Sequence, residues 1–318
     1  MSLRAILGGA LAALVGLVGI SYGVEALRSV PEPPDKLAWA PEVAVQYVDI
    51  GGVKVRYIKT GAGPNLVLLH TLRTQLDIFE GIIPQLAQRF TIYAYDYPGH
   101  GWSDIPDAAY APEDFYAWTS AFLDRLDIRQ ASVVGVSIGA TIALVFAARG
   151  NPRIARVVAV NSYDYGPGAG GVRKSSLTAK LVLTFSEVPI VGATLMRLRN
   201  RLVLDRILEG GLASPGALPN PFAKEFYEVG NRPGHYRGFL SLLAHERLWS
   251  DARKVYPAIK VPVLLVYGEQ DWAPQDARER TRSAIPGVVM ETVRNGNHFL
   301  SLDRADALHD LILRFAAN

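Results

Sequence analysis

Ser137 lies in Gly135-Val136-Ser137-Ile138-Gly139, between the β-rich run 131–136 and a helical run from 138. A serine hydroxyl is a poor nucleophile at neutral pH and reacts only beside a base. Glycines on both sides suit a sharp strand-to-helix turn, where side chains would collide. Such a turn lifts the Ser137 oxygen to the carboxyl end of its strand. The helix N-terminus beneath it favours developing negative charge.

The chain has six histidines to supply the base: His70, His100, His235, His245, His298 and His309. His298 follows the last expected strand in Arg294-Asn295-Gly296-Asn297-His298-Phe299, where a loop can carry an imidazole over the sheet edge to Ser137. His309 falls mid-helix and reads as a surface residue. His235 and His245 belong to a long insertion, as pocket wall or as surface. An imidazole in this role needs an acid to fix its tautomer. Asp271, in Tyr267-Gly268-Glu269-Gln270-Asp271, follows the preceding strand. Asp164, one strand earlier in Asn161-Ser162-Tyr163-Asp164, competes with it, and Glu269 is a weaker third. Asp164 is otherwise a turn cap or a pocket wall. The chemistry of such a set is acyl transfer in two steps, with no metal and no organic cofactor.

These residues need a frame that brings strand ends together. The run 43–59 reads as a β-hairpin turning at 49–52. Further strands are expected at 65–70, 91–96, 131–136, 154–161, 263–267 and 288–293, and helices at 75–89, 112–126, 138–149, 274–285 and 302–315. Alternating strand and helix imply a mostly parallel sheet covered on both faces. From about 165 to 256 the alternation gives way to helical stretches, Gly and Pro, an insertion between two strands.

Four stretches carry a resemblance: Leu69-His70-Thr71-Leu72, Asp96-Tyr97-Pro98-Gly99-His100-Gly101-Trp102-Ser103-Asp104, the Ser137 turn, and 268–271 with 296–298. The chain resembles the α/β-hydrolase superfamily, in the branch with a helical cap inserted between core strands 6 and 7, over about 43–318. The order Ser, Asp, His is the one that superfamily uses. The resemblance implies an α/β fold and backbone donors to an oxyanion from Leu72 and Ile138. It usually carries His-Gly after the third strand, and here Thr71 replaces that glycine. Arg73 nearby is a candidate contact for an anionic group of the substrate, or a solvated or salt-bridged arginine; Asp164 and His235 are further candidate substrate contacts. His70, His100 and Asp96 read as residues that hold loops. An Asp-nucleophile dehalogenase or epoxide hydrolase is disfavoured by the serine in the turn.

The chain has 318 residues, 49% hydrophobic, with no cysteine and a net charge of +3. Disulfides, thiolate nucleophiles and Cys-ligated metal centres are excluded. The charge is too small and dispersed for nucleic acid as a partner. Residues 5–24 carry no charge over 20 positions, enough for a helix to cross a hydrocarbon core. An uncleaved single-pass anchor is expected, with a cleaved secretory signal as the rival. Arg4 on one side and Arg28 and Lys36 on the other leave the orientation open. The expected organisation is an anchor (1–28), a Pro-rich stiff tether (29–42), a core (43–164), a cap (165–256) and the rest of the core (257–318).

The insertion 166–256 carries 13 Lys/Arg against 7 Asp/Glu. Arg197, Arg199, Arg201 and Arg206 read either as contacts to anionic lipid headgroups or as the solvated face of an ordinary cap helix. The expected function is a membrane-anchored carboxylesterase or lipase-like enzyme acting on a small-molecule or lipid ester. The alternatives are cleavage of an amide, thioester or carbon–carbon bond on the same residues, or a silent ligand-binding protein.

Overall fold

The computed structural model describes residues 2–166, 171–214 and 216–317. Residues 167–170 and 215 of the expected cap lie outside the described residues. Helix α1 (Leu3–Ala26) precedes strands β1 (Val45–Ile50), β2 (Val53–Thr60) and β3 (Asn65–Leu69). There follow α2 (Ile83–Leu86), β4 (Thr91–Tyr95), α3 (Pro112–Arg125), β5 (Ala131–Val136), α4 (Ile138–Ala148) and β6 (Ile154–Val160). Helices α5 (Leu177–Ser186), α6 (Pro189–Arg197), α7 (Arg201–Glu209), α8 (Asn220–Val229), α9 (His235–Ala244) and α10 (Glu246–Ser250) stand between β6 and β7 (Val263–Gly268). The chain closes with α11 (Gln275–Ala284), β8 (Val289–Val293), α12 (Leu300–Asp303) and α13 (Ala305–Ala316).

The eight strands form one sheet in the order β1-β2-β4-β3-β5-β6-β7-β8. The β1–β2 and β2–β4 pairs are antiparallel and the rest are parallel. Every residue of β5 and β7 is buried, as parallel strands with helices on both faces require. From β3 the chain passes to β4 on one side, then returns to β5 on the other. In parallel α/β sheets the crevice for a ligand opens at that reversal, beyond the strand carboxyl ends. Residues 70–73 follow β3 and Ser137 follows β5, so both border this crevice.

Three expectations change. The run 75–89 forms a 3₁₀ turn (Leu76–Phe79) and the short α2 instead of one helix. The Asp96 carboxylate takes the Leu76 amide at 2.7 Å, and Pro84 restarts the helix. The closing helix is broken at Arg304. Asp303 accepts from the amides of Ala213 (3.0 Å) and Asn297 (3.2 Å), which ties this turn to the loop before His298. The segment 29–42 is only partly a tether: Leu37 and Ala40 are buried, and Trp39 donates to Asp77 at 2.7 Å. Its apolar residues find core to pack on, which the proline count alone hid.

Helix α1 is long and apolar enough to cross a membrane, and the span Leu7–Ala26 is almost entirely unburied by protein. Its last turn docks on the inserted helices. Arg28 donates to the carbonyls of Arg197 (2.7 Å) and Arg199 (3.2 Å) and to Tyr227 (3.0 Å). Glu25 pairs with Arg199 at 2.8 Å, and the Arg197 guanidinium lies 3.8 Å over the Tyr22 ring. Two of the four arginines set aside for headgroups or solvent are therefore buried against α1. Arg201 pairs with Asp205 and Arg206 with Glu209.

Candidate active site

Ser137 caps α4 with φ 58° and ψ −115°, a positive φ that is uncommon for any residue but glycine. The close approach of chain segments explains the glycines around it. A Cβ at Gly135 would overlap the Gly139 carbonyl, and one at Gly139 would overlap the Leu69 and His70 carbonyls. The turn thus closes only with both side chains removed. Ile138 is the first residue of α4, so its amide has no acceptor within the helix.

His298 and Asp271 are buried, and their side chains meet at 2.5 Å between Nδ1 and Oδ1. The second Asp271 oxygen accepts from the Ala273 amide at 3.0 Å. Trp272 stacks on the imidazole, with ring centroids 3.9 Å apart at 16°. Ser137 and His298 line the same cavity.

Asn161, at the end of β6, was not singled out by its type or spacing. Its Nδ2 donates to the carbonyls of Asn297 (3.1 Å) and His298 (2.8 Å), and its Oδ1 accepts from the Gly268 amide at 2.9 Å. One amide side chain therefore joins the loop of the acid to the loop of the base. Its φ of 50° marks the position in the structure, and backbone angles are not visible in sequence.

Thr71 performs a defined task where a glycine was expected. Its carbonyl accepts from His70 Nδ1 (2.7 Å), Thr74 Oγ1 (2.9 Å) and the Thr74 amide (3.3 Å). His70 Nε2 accepts from the Tyr97 amide at 3.0 Å, which assigns the proton to Nδ1. Burial holds His70 well below the ordinary histidine range, so the ring stays neutral. In a trans peptide N–H and C=O point opposite ways, so pinning the Thr71 carbonyl turns the Leu72 amide away from His70. Leu72 lines the cavity.

The other candidates separate. Asp164 is buried and accepts from Thr281 (2.9 Å), Tyr256 (3.0 Å) and Ser162 (3.3 Å); it is not on the cavity wall. Burial raises its carboxyl to about 6. His235 is also buried and off that wall, 6.5 Å from His100 between ring centroids. Arg73 does line the cavity. His100 and Asp96 support loops: Asp96 accepts the Trp102 amide at 2.8 Å and pairs with buried Arg56, which also holds Asp77 at 2.9 Å.

The cavity measures about 250 Å³. One wall comes from the core (Thr71, Leu72, Ile138, Trp272) and the other from α5–α10, through residues such as Leu183, Met196, Leu204, Phe226 and Leu243. The lining is mostly apolar, as in pockets for organic ligands.

The family model described as the alpha/beta hydrolase fold matches residues 64–305. The chain belongs to the α/β-hydrolase superfamily. It is 25% identical over 295 residues to Carboxylesterase YbfK of Bacillus subtilis, covering 87% of this chain and 89% of that protein. It is 26% identical over 258 residues to 2-(acetamidomethylene)succinate hydrolase of Mesorhizobium japonicum, covering 80% and 88%. Among solved structures, a membrane phospholipase A described as a bacterial virulence factor superposes with a TM-score of 0.72 at 19% identity, over 99% of this chain and 95% of that one. Family and named relatives make this chain a hydrolase.

Proposed function

We propose that the protein is a membrane-anchored serine hydrolase that cleaves carboxylic esters with a large apolar part. The observation that carries the reading is His298, held by Asp271 at 2.5 Å, on the wall of the same apolar cavity as the strained Ser137 turn. Ser137 Oγ attacks the ester carbonyl carbon while His298 Nε2 takes its proton. The oxyanion rests on the Leu72 and Ile138 amides. His298 returns the proton to the leaving alkoxide as the C–O bond breaks. Water, deprotonated by His298, then attacks the acyl carbon and restores Ser137. Asp271 fixes the tautomer and stabilises the imidazolium.

Helix α1 supplies the anchor, and its docking on the end of α6 and the turn after it, through Arg28 and Glu25, ties the cavity's wall to the membrane segment. The relative named a carboxylesterase supports the ester reading. The relative whose substrate name contains an acetamide supports a second reading, hydrolysis of a bond other than an ester on the same residues. Full-length protein in detergent is assayed with nitrophenyl esters and matched anilides, beside Ser137→Ala. Ester hydrolysis lost in Ser137→Ala supports the first reading. Anilide hydrolysis alone selects the second, and activity undiminished in Ser137→Ala defeats both.

A further inference from the structure

Three arginines line the cavity: Arg73, Arg173 and Arg199. Two have carboxylates. Arg173 pairs with Glu187 and with Glu246 (3.3 Å), and Arg199 pairs with Glu25 (2.8 Å). Arg73 differs. It is only 8% exposed, yet among the described residues nothing accepts from its Nε or Nη2. Its guanidinium carbon lies 4.9 Å from the Phe226 ring centre and 5.5 Å from that of Phe239, both on the cavity wall.

A charge buried without a partner is among the costliest features a fold can keep. Burial first, then the charge of Arg199, pulls the Arg73 guanidinium down to about 9, still protonated at neutral pH. The backbone adds to the cost, since φ is 60° at Arg73. A guanidinium can grip two oxygens of a carboxylate or phosphate in parallel. Aromatic rings lie beside the group, and its buried Nε and Nη2 are left unbonded. Arg73 also directly follows Leu72, the residue read as an oxyanion donor.

We propose that the Arg73 guanidinium, on the cavity wall, binds an anionic group, a carboxylate or phosphate, carried by the substrate close to the scissile bond. The substrate is then an ester with its own negative charge, whose apolar remainder lies along α5–α9. The position relative to the scissile bond rests on the ester-hydrolase reading; the anion site itself does not.

The test separates the two. Hexanoate, hexyl phosphate and hexan-1-ol are titrated calorimetrically into full-length protein, Arg73→Gln and Arg73→Lys, in detergent. At least one anion should bind the wild type tenfold or more tighter than the alcohol. Arg73→Gln should remove that difference, and Arg73→Lys should keep part of it, since an ammonium retains the charge without the fork. Whether hexanoate or hexyl phosphate gains more identifies the source of the anion. Equal binding of alcohol and anions by the wild type, a comparison that needs no variant, overturns the proposal. So does a difference that survives Arg73→Gln. In a second arm, nitrophenyl hemiadipate is compared with nitrophenyl hexanoate, and the charged ester should show the lower KM in the wild type only. Anion binding without hydrolysis of either ester defeats the ester reading and leaves the Arg73 site standing.

Discussion

Asp271 Oδ1 accepts a 2.5 Å hydrogen bond from His298 Nδ1, although 27 residues separate the two along the chain. The bond occupies Nδ1 and leaves Nε2 as the atom that takes the Ser137 proton in the proposed mechanism. Asp271→Asn keeps the shape and offers a donor to Nδ1, which favours the wrong tautomer. A fall in kcat of about 10³–10⁴ with little change in KM is expected from steady-state ester kinetics. A loss below tenfold would remove Asp271 from the role.

Asn161 acts on the same pair at one remove. Its three hydrogen bonds join β6 to the loops that carry Asp271 and His298. Each neutral hydrogen bond contributes about 1 kcal/mol. Asn161→Ala should lower kcat about 10- to 100-fold, slow fluorophosphonate labelling in step, and leave KM nearly unchanged. A variant with a lowered melting temperature and full kcat would make Asn161 merely structural.

Asp164 should behave differently from Asp271. Burial raises its carboxyl to about 6, so the fold favours the neutral acid. That contribution is fully present below the ordinary value of 3.8 and is lost as pH rises through about 6. Measured by urea unfolding, the wild type should lose about 2 kcal/mol relative to Asp164→Asn between pH 4 and pH 7. Asp164→Asn should retain ester hydrolysis. A pH-independent difference would contradict the account of its environment.

Arg56 is buried between Asp77 and Asp96. Removing one carboxylate leaves part of a buried charge unmatched. Asp77→Ala should cost about 3–5 kcal/mol in chemical unfolding. It also removes the acceptor of Trp39, so the segment 29–42 should become more sensitive to protease. Unchanged stability would show the pair to be dispensable.

The succession of strands and helices, the Ser137 turn and the loops carrying Asp271 and His298 were readable because each rests on local chemistry: glycines where chains touch, apolar runs for buried strands, polar residues at strand ends. What pairs with what across the fold was not. Sequence offered Arg73 as a candidate contact for an anion and Arg199 as a headgroup or solvated arginine; only the structure shows Glu25 meeting Arg199 and Glu246 meeting Arg173, with Arg73 left over. Trp272 reads as one more aromatic until it is seen against the His298 ring. The docking of α1 on α6 depends on Tyr22, Glu25 and Arg28 finding partners about 170 residues away, which no local pattern encodes.

The most direct test of the whole account is peptide mapping after fluorophosphonate labelling of the full-length protein, run beside His298→Ala. A single adduct on the peptide containing Ser137, formed at least about 10³-fold more slowly in His298→Ala, is the predicted result. An adduct on another serine, or labelling of Ser137 at the same rate without the imidazole, would contradict it.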